Sequence, residues 1–137
     1  MIIFKINNER NIKYKKAIKK SIIETCKILK IKKATLSVSL INDKKMKILN
    51  KKYLKKDKTT DVLSFLIDKK NMLGDIYISG STAIKNAEKL NHPYIEELSF
   101  LVIHSILHLT GYNHKKIEER KKMEKKEQKI FNSIWHN

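Results

Sequence analysis

Residues 94–110 limit the fold more than any other stretch of the chain. From Leu98 to Leu109 the sequence is apolar nearly all round when wound as a helix, so this helix belongs in the interior and other elements must cover it. Pro93 stands just before it, where its fixed φ suits a helix start, and Glu96 and Glu97 suit the positive end of the helix dipole. Gly111 follows, where glycine commonly ends a helix. Inside this apolar element stand His104 and His108. Residues four apart share one helix face, so the two imidazoles can point at one spot. The break at Gly111 lets the chain turn back and bring His114 to that spot.

A single histidine on a helix is usually a satisfied core or surface residue. Two at four-residue spacing on an apolar helix, followed by a glycine break and a third, call for a shared ligand. Unpaired buried imidazoles are costly, and no acid or amide stands among these two to satisfy them. Three neutral imidazoles on a tetrahedral ion leave one position open for a water, whose pKa falls toward about 7. The expectation is one zinc ion per chain, held by His104, His108 and His114. A closed structural site lacks an evident fourth ligand: Asn113 is a poor one, and Asp75 would have to arrive from another element. The spacing H-x3-H-x2-G-x2-H is that of the metzincin proteases, whose general base is a glutamate directly after the first histidine. Ser105 stands in that place and at its ordinary pKa cannot take a proton from a zinc-bound water. A phosphodiester substrate is therefore a better expectation than a peptide, although the residues assign no general acid or base.

The length of 137 residues suits a single domain, 1–137. With 41% hydrophobic and 33% charged residues, the chain is too apolar to be disordered and too charged for a membrane protein. No apolar run reaches the length of a bilayer span. Cys26 is the only cysteine, which excludes an internal disulfide and a sulfur-rich metal site. The opening Met1-Ile-Ile-Phe-Lys5 lacks the features of a secretory signal, so a cytoplasmic location is expected. The formal net charge is +17, a field that attracts polyanions and speeds their encounter. All the basic residues except Arg10 and Arg120 are lysines, and the abundance of Lys, Ile and Asn also matches coding by an AT-rich genome.

The hydrophobic pattern predicts a strand over 2–6, a helix over 12–30 and a half-buried strand over 35–41. A helix capped by Asn42 or Asp43 runs to about Leu54, and a polar loop fills Lys55 to Asp61. Strands follow at Val62–Ile67 and Gly74–Ser79, with a loop around Asp68–Leu73. Ser81 or Thr82 starts a helix ending near Asn91, and a charged helix spans 117–135. The fold class is α/β (α+β): a small mixed sheet packed with helices, in which the 62–79 strand pair is antiparallel and the buried helix carries the metal ligands.

The string HSILHLTGYNH, His104 to His114, resembles the H-G-x-L-H-L-x-G-Y-D-H signature of the YbeY family of bacterial endoribonucleases. Two further blocks agree in order and separation. One, Asn50 to Phe65, ends in TDVLSF; the other, Gly74 to Ser79, reads GDIYIS. The resemblance covers essentially the whole chain. It implies an α/β fold with a small mixed sheet and zinc held by His104, His108 and His114. It also implies cleavage of single-stranded ribosomal RNA, in 3′-end maturation of the small-subunit RNA and in ribosome quality control. The implied partners are that RNA and the small ribosomal subunit, with no membrane and no DNA. Three positions depart from the family pattern: Leu54 replaces an arginine proposed to act on RNA, Ser105 a glycine and Asn113 an aspartate. Lys55 or Lys56 then supplies the RNA-binding charge, without the bidentate reach of a guanidinium. Asp61, Ser64 and Asp75 are expected to support fold or site, and Tyr53 and Phe65 to belong to the core rather than to stack on bases. An alternative reading is a ribosome assembly factor that binds the small subunit with a structural metal and little nuclease activity. A peptidase is the least favoured, because of Ser105. Binding of single-stranded RNA should weaken steeply with salt, with a log–log slope of about −0.7 per phosphate neutralised; titrations at several ionic strengths measure it, and a flat response removes the basic surface from the mechanism.

Overall fold

A computed structural model of the chain describes residues 1–56 and 58–136. Asp57, part of the expected polar loop and of the second family block, lies outside the described residues. The elements run β1 (Ile2–Asn7), α1 (Ile12–Ile28), β2 (Ala34–Ile41), α2 (Asp43–Leu54), β3 (Val62–Asp68), β4 (Leu73–Ser79), α3 (Gly80–Leu90), α4 (Tyr94–Leu109) and α5 (Ile117–Trp135). The sheet order is β1-β2-β4-β3. β1 and β4 both lie parallel to β2, while β3 pairs antiparallel with β4, so the sheet is mixed as expected. Among the described residues no helix is long and apolar enough to cross a membrane.

Helix α4 is central. It packs against α1, α3 and α5 and against β3 and β4. Leu98, Leu101, Val102, Ile106 and Leu109 join Ile18, Ile22, Leu36, Val38, Ile76 and Ile78 in the main core, between helix layer and sheet. Ile103 and Leu107, on another side of α4, join Met123, Ile130 and Ile134 of α5 in a second core. Each large aliphatic side chain buried this way contributes about 1.5–3 kcal/mol, and α4 supplies both cores at once. At its C-terminal end α4 comes very close to the sheet. A Cβ added at Gly74 of β4 would stand 2.8 Å from Cδ1 of Leu109, so a side chain there would displace the tip of the Leu109 side chain.

Differences from the sequence reading lie at element ends. α1 stops at Ile28 rather than 30 because Lys30 adopts a left-handed conformation (φ 59°). The amide of Ile31 then donates to the Cys26 carbonyl (2.8 Å) and that of Lys30 to Lys27 (3.1 Å), which satisfies the last carbonyls of the helix. No glycine marks this turn. α3 starts at Gly80, one residue before the expected Ser81, and Ser79 both ends β4 and caps α3 by accepting from the Thr82 amide. At the start of α2, Asn42 accepts from the Lys45 amide (2.8 Å).

Asp43, the first residue of α2, ties three segments together. Its carboxylate accepts from the hydroxyls of Ser79, Ser81 (2.8 Å), Thr82 (2.8 Å) and Thr59 (3.3 Å). These donors, Ser79 foremost, hold its pKa down at about 2, against an ordinary value of about 3.9. A depressed carboxylate pKa contributes stability that is present above about pH 4 and is lost as pH falls toward about 2. Acid titrations of unfolding free energy should therefore show wild type and Asp43→Asn converging between pH 4 and 2; a constant difference across that window would contradict the role given to Asp43.

Candidate metal centre

One turn of α4 separates His104 from His108, and their ring centroids are 4.5 Å apart. Each ring is half-buried, and each has its Nδ1 committed. His104 Nδ1 donates to Oε1 of Glu127 at 3.0 Å, and His108 Nδ1 donates to the carbonyl of Tyr112 at 3.0 Å. A carboxylate and a carbonyl only accept, so these partners place the proton of each neutral ring on Nδ1. Both Nε2 atoms are then bare acceptors, and they face each other 3.0 Å apart. Two lone pairs in such contact repel unless a cation lies between them. Nitrogens at zinc–imidazole distance from one tetrahedral ion stand about 3.4 Å apart, close to the separation seen here. Burial pushes the pKa of His108 below the ordinary histidine value, with the neighbouring His104 and His114 adding to the effect. That favours the neutral, metal-binding form.

The turn after α4 has a specific geometry. Thr110 closes the helix, and Gly111 takes φ 106°, a conformation that strains any residue with a Cβ. The Gly111 amide donates to the His108 carbonyl and the Tyr112 amide to the Leu107 carbonyl, both at 3.1 Å. This is the Schellman arrangement, with Tyr112 packing into the second core as its apolar contact. It aims the Tyr112 carbonyl back at His108 and carries the chain round to His114. The His114 ring centroid lies 5.2 Å from that of His104 and 5.0 Å from that of His108. One ligand atom from each histidine lies within 4.8 Å of the others. Among the described residues no fourth His, Cys, Asp or Glu joins this group.

Glu127 corrects the expectation that no acid attends the imidazoles. It comes from α5, 23 residues beyond His104, and is 4% exposed. A carboxyl group buried to this degree needs a hydrogen-bond partner, and the His104 N–H is that partner. A signal was present in the sequence: Met123, Glu127, Ile130 and Ile134 form one helical stripe, with a glutamate among apolar residues. Phe100, one turn before His104, stacks on its ring at 5.9 Å between centroids and helps hold it.

Other residues singled out from the sequence take varied places. Ser105 is buried and its hydroxyl donates to the Leu101 carbonyl at 2.8 Å, so it faces its own helix and cannot serve as a base. Asn113 accepts from the Lys115 amide and shapes the local turn. Asp61 accepts from Asn86 (3.2 Å), and Tyr53, Phe65 and Tyr77 form a chain of ring contacts. Phe65 packs against a small core cluster, whereas Tyr53, expected in the core, is 53% exposed because it stands in the last turn of α2, whose residues are all exposed. Asp75 sits half-buried on β4, outside the histidine group. Beside His108 a cleft of about 400 Å³ is lined by Leu54, Val62, Leu63, Ser64, Leu66 and Leu109. Leu54 is thus brought next to the histidines. Lys55, the left-handed residue that ends α2, and Lys56 follow it directly, are exposed and do not line this cleft.

Two facing imidazoles on a buried helix, with a third returned by a glycine turn, define a candidate three-histidine metal centre on an α/β scaffold. The family model described as Endoribonuclease YbeY matches residues 3–135. A relative of that name from Persephonella marina is 40% identical over 127 residues, covering 88% of this chain and 83% of its own. One from Aquifex aeolicus is 42% identical over 104 residues, covering 72% and 69%. A solution structure of a Thermotoga maritima protein superposes with a TM-score of 0.73 at 30% identity, over 99% of this chain and 90% of that one. The chain belongs to the Endoribonuclease YbeY family.

The Glu127 contact makes the site testable from its outer layer. Glu127→Gln should weaken zinc binding about 10- to 100-fold, measured by competition with a chelator, while the fold remains. Unchanged affinity would show that Glu127 packs against His104 without orienting it.

Proposed function

We propose that this chain is a zinc-dependent endoribonuclease acting on single-stranded RNA. The observation that carries the reading is the pair of bare Nε2 atoms 3.0 Å apart, with His114 completing a three-nitrogen group beside an open cleft. A zinc ion held by His104, His108 and His114 would supply Lewis acidity to a phosphoryl oxygen and a water of lowered pKa. The chain's own groups do the rest. Glu127 and the Tyr112 carbonyl orient His104 and His108 and keep their Nε2 atoms free of protons. Leu54, Val62 and Leu66 give the cleft apolar walls against which the sugars and bases of a bound strand can pack. Lys55 and Lys56 add positive charge beyond its edge, and the net charge of +17 steers a polyanion toward it. Ser105 and Glu127 are both engaged elsewhere, so neither is free to act as a general base.

We take the substrate to be small-subunit ribosomal RNA, in 3′-end maturation and ribosome quality control, with the small subunit as partner; membership of an endoribonuclease family supports RNA as the class of substrate. We place the protein in the cytoplasm, as one domain over 1–137. The apolar Leu54 beside His108 favours a second reading, in which the chain binds the small subunit as an assembly factor and cleaves little.

Purified protein given single-stranded ribosomal RNA should cut it at least about 100-fold faster than His108→Ala, and chelation should abolish cutting until zinc is returned. Equal rates for wild type and His108→Ala would end the nuclease reading. Cutting that is weak in the wild type but raised by Leu54→Arg would identify Leu54 as the cause; subunit binding without cutting in either form would favour the assembly factor.

A further inference from the structure

A second concave surface begins one residue beyond the cleft at the histidines. Leu109 lines that cleft, while Thr110, Gly111, Tyr112 and Asn113 form one wall of a groove of about 630 Å³. The other wall is α5, which contributes Lys122, Lys125, Lys126, Lys129 and Glu119. The four lysines stand at i, i+3, i+4 and i+7, the spacing of one helix face, adjacent to the buried Met123/Glu127/Ile130 stripe. Four ammonium groups thus meet a single carboxylate in this lining. Among the described residues, none of the four lies within ion-pair distance of a carboxylate. Like charges gathered along one groove repel each other, and the arrangement is relieved by an anion that spans several of them. From Lys122 to Lys129 the helix rises about 10 Å, enough for more than one phosphate of an extended strand. The wall opposite is the turn that delivers His114. One rim of the groove is therefore the segment that leads directly into His114.

We propose that this groove is a backbone track for single-stranded nucleic acid, in which Lys122, Lys125, Lys126 and Lys129 bind two successive phosphates on one side of the one presented to the metal centre. The proposal rests on the endoribonuclease reading for its direction, while the binding itself does not. Lysine ammoniums act as point charges, so the track holds the strand without reading its bases. The lysine stems and Tyr112 give the groove an apolar floor under the sugar edges.

The test measures binding of a single-stranded oligoribonucleotide by fluorescence anisotropy across ionic strengths. Substituting Lys122, Lys125, Lys126 and Lys129 with Gln should lower the magnitude of the log–log salt slope by about 1.4, two phosphates at about 0.7 each. An equal-charge control, Gln at Lys16, Lys19, Lys20 and Lys27 on the outer face of α1, should change it far less. A control that loses as much as the groove variant overturns the track in favour of diffuse attraction. Lysine acetylation of the wild-type protein, read by mass spectrometry, gives a second measure that does not depend on how a variant folds. The bound oligonucleotide should shield the four groove lysines more than the four α1 lysines, and equal shielding overturns the proposal. His108→Ala separates the two readings. If no form cuts RNA while shielding and slope behave as stated, the nuclease fails and the track stands; if the wild type cuts and the groove lysines stay unshielded, the track alone fails.

Discussion

An imidazole inside an apolar helix needs both of its ring nitrogens satisfied, and that requirement organises the C-terminal third of this molecule. His104 and His108 lie on a helix that supplies the hydrophobic core on every other side. The polar partners they need cannot come from the same helix. They come instead from two places further along the chain: the Tyr112 carbonyl, exposed by the turn that ends α4, and the Glu127 carboxylate, presented by α5. Each of these bonds sets a tautomer, and together they leave the two Nε2 atoms bare and facing. The position of α5 and the shape of the turn are thus part of the same arrangement as the histidines.

Close packing gives that arrangement its rigidity. Gly74 lets β4 approach Leu109 at the end of α4, so the helix end is seated against the sheet directly behind His108. Gly111 takes a backbone conformation closed to other residues, and the paired bonds from Gly111 and Tyr112 to His108 and Leu107 lock the turn. The helix end is thus placed by side-chain packing and the turn by backbone geometry, and the imidazoles inherit that placement. The same turn borders two concave surfaces of different character, an apolar cleft on the His108 side and a lysine-lined groove against α5.

Most elements were legible because their hydrophobic periods are strong. The alternation of Leu36, Val38 and Leu40 marks β2, and the all-apolar run after Pro93 marks α4. The ends were less legible where a residue without a special preference takes an unusual conformation, as Lys30 does in the left-handed turn after α1. At the site, the spacing of His104, His108 and His114 with Gly111 named the three imidazoles. Glu127 escaped because a carboxylate amid 31 basic residues reads as surface charge balance, although its place in the Met123 to Ile134 stripe sets it apart. The exposed Lys55 and Lys56 carry their charge directly after Leu54, and which of these neighbours walls the cleft beside His108 is not readable from residue type alone.

By itself, then, the order of residues determined what is local: helix against strand, the face shared by two histidines four apart, and the stop at Gly111. Those follow from backbone geometry within a few residues and need no knowledge of the rest of the chain. Which acid reaches His104, which strand lies behind Leu109 and which lysines line one groove were decided only by the tertiary structure. These are contacts between elements far apart in sequence, and they exist because burying α4 forces sheet and helices to close around it.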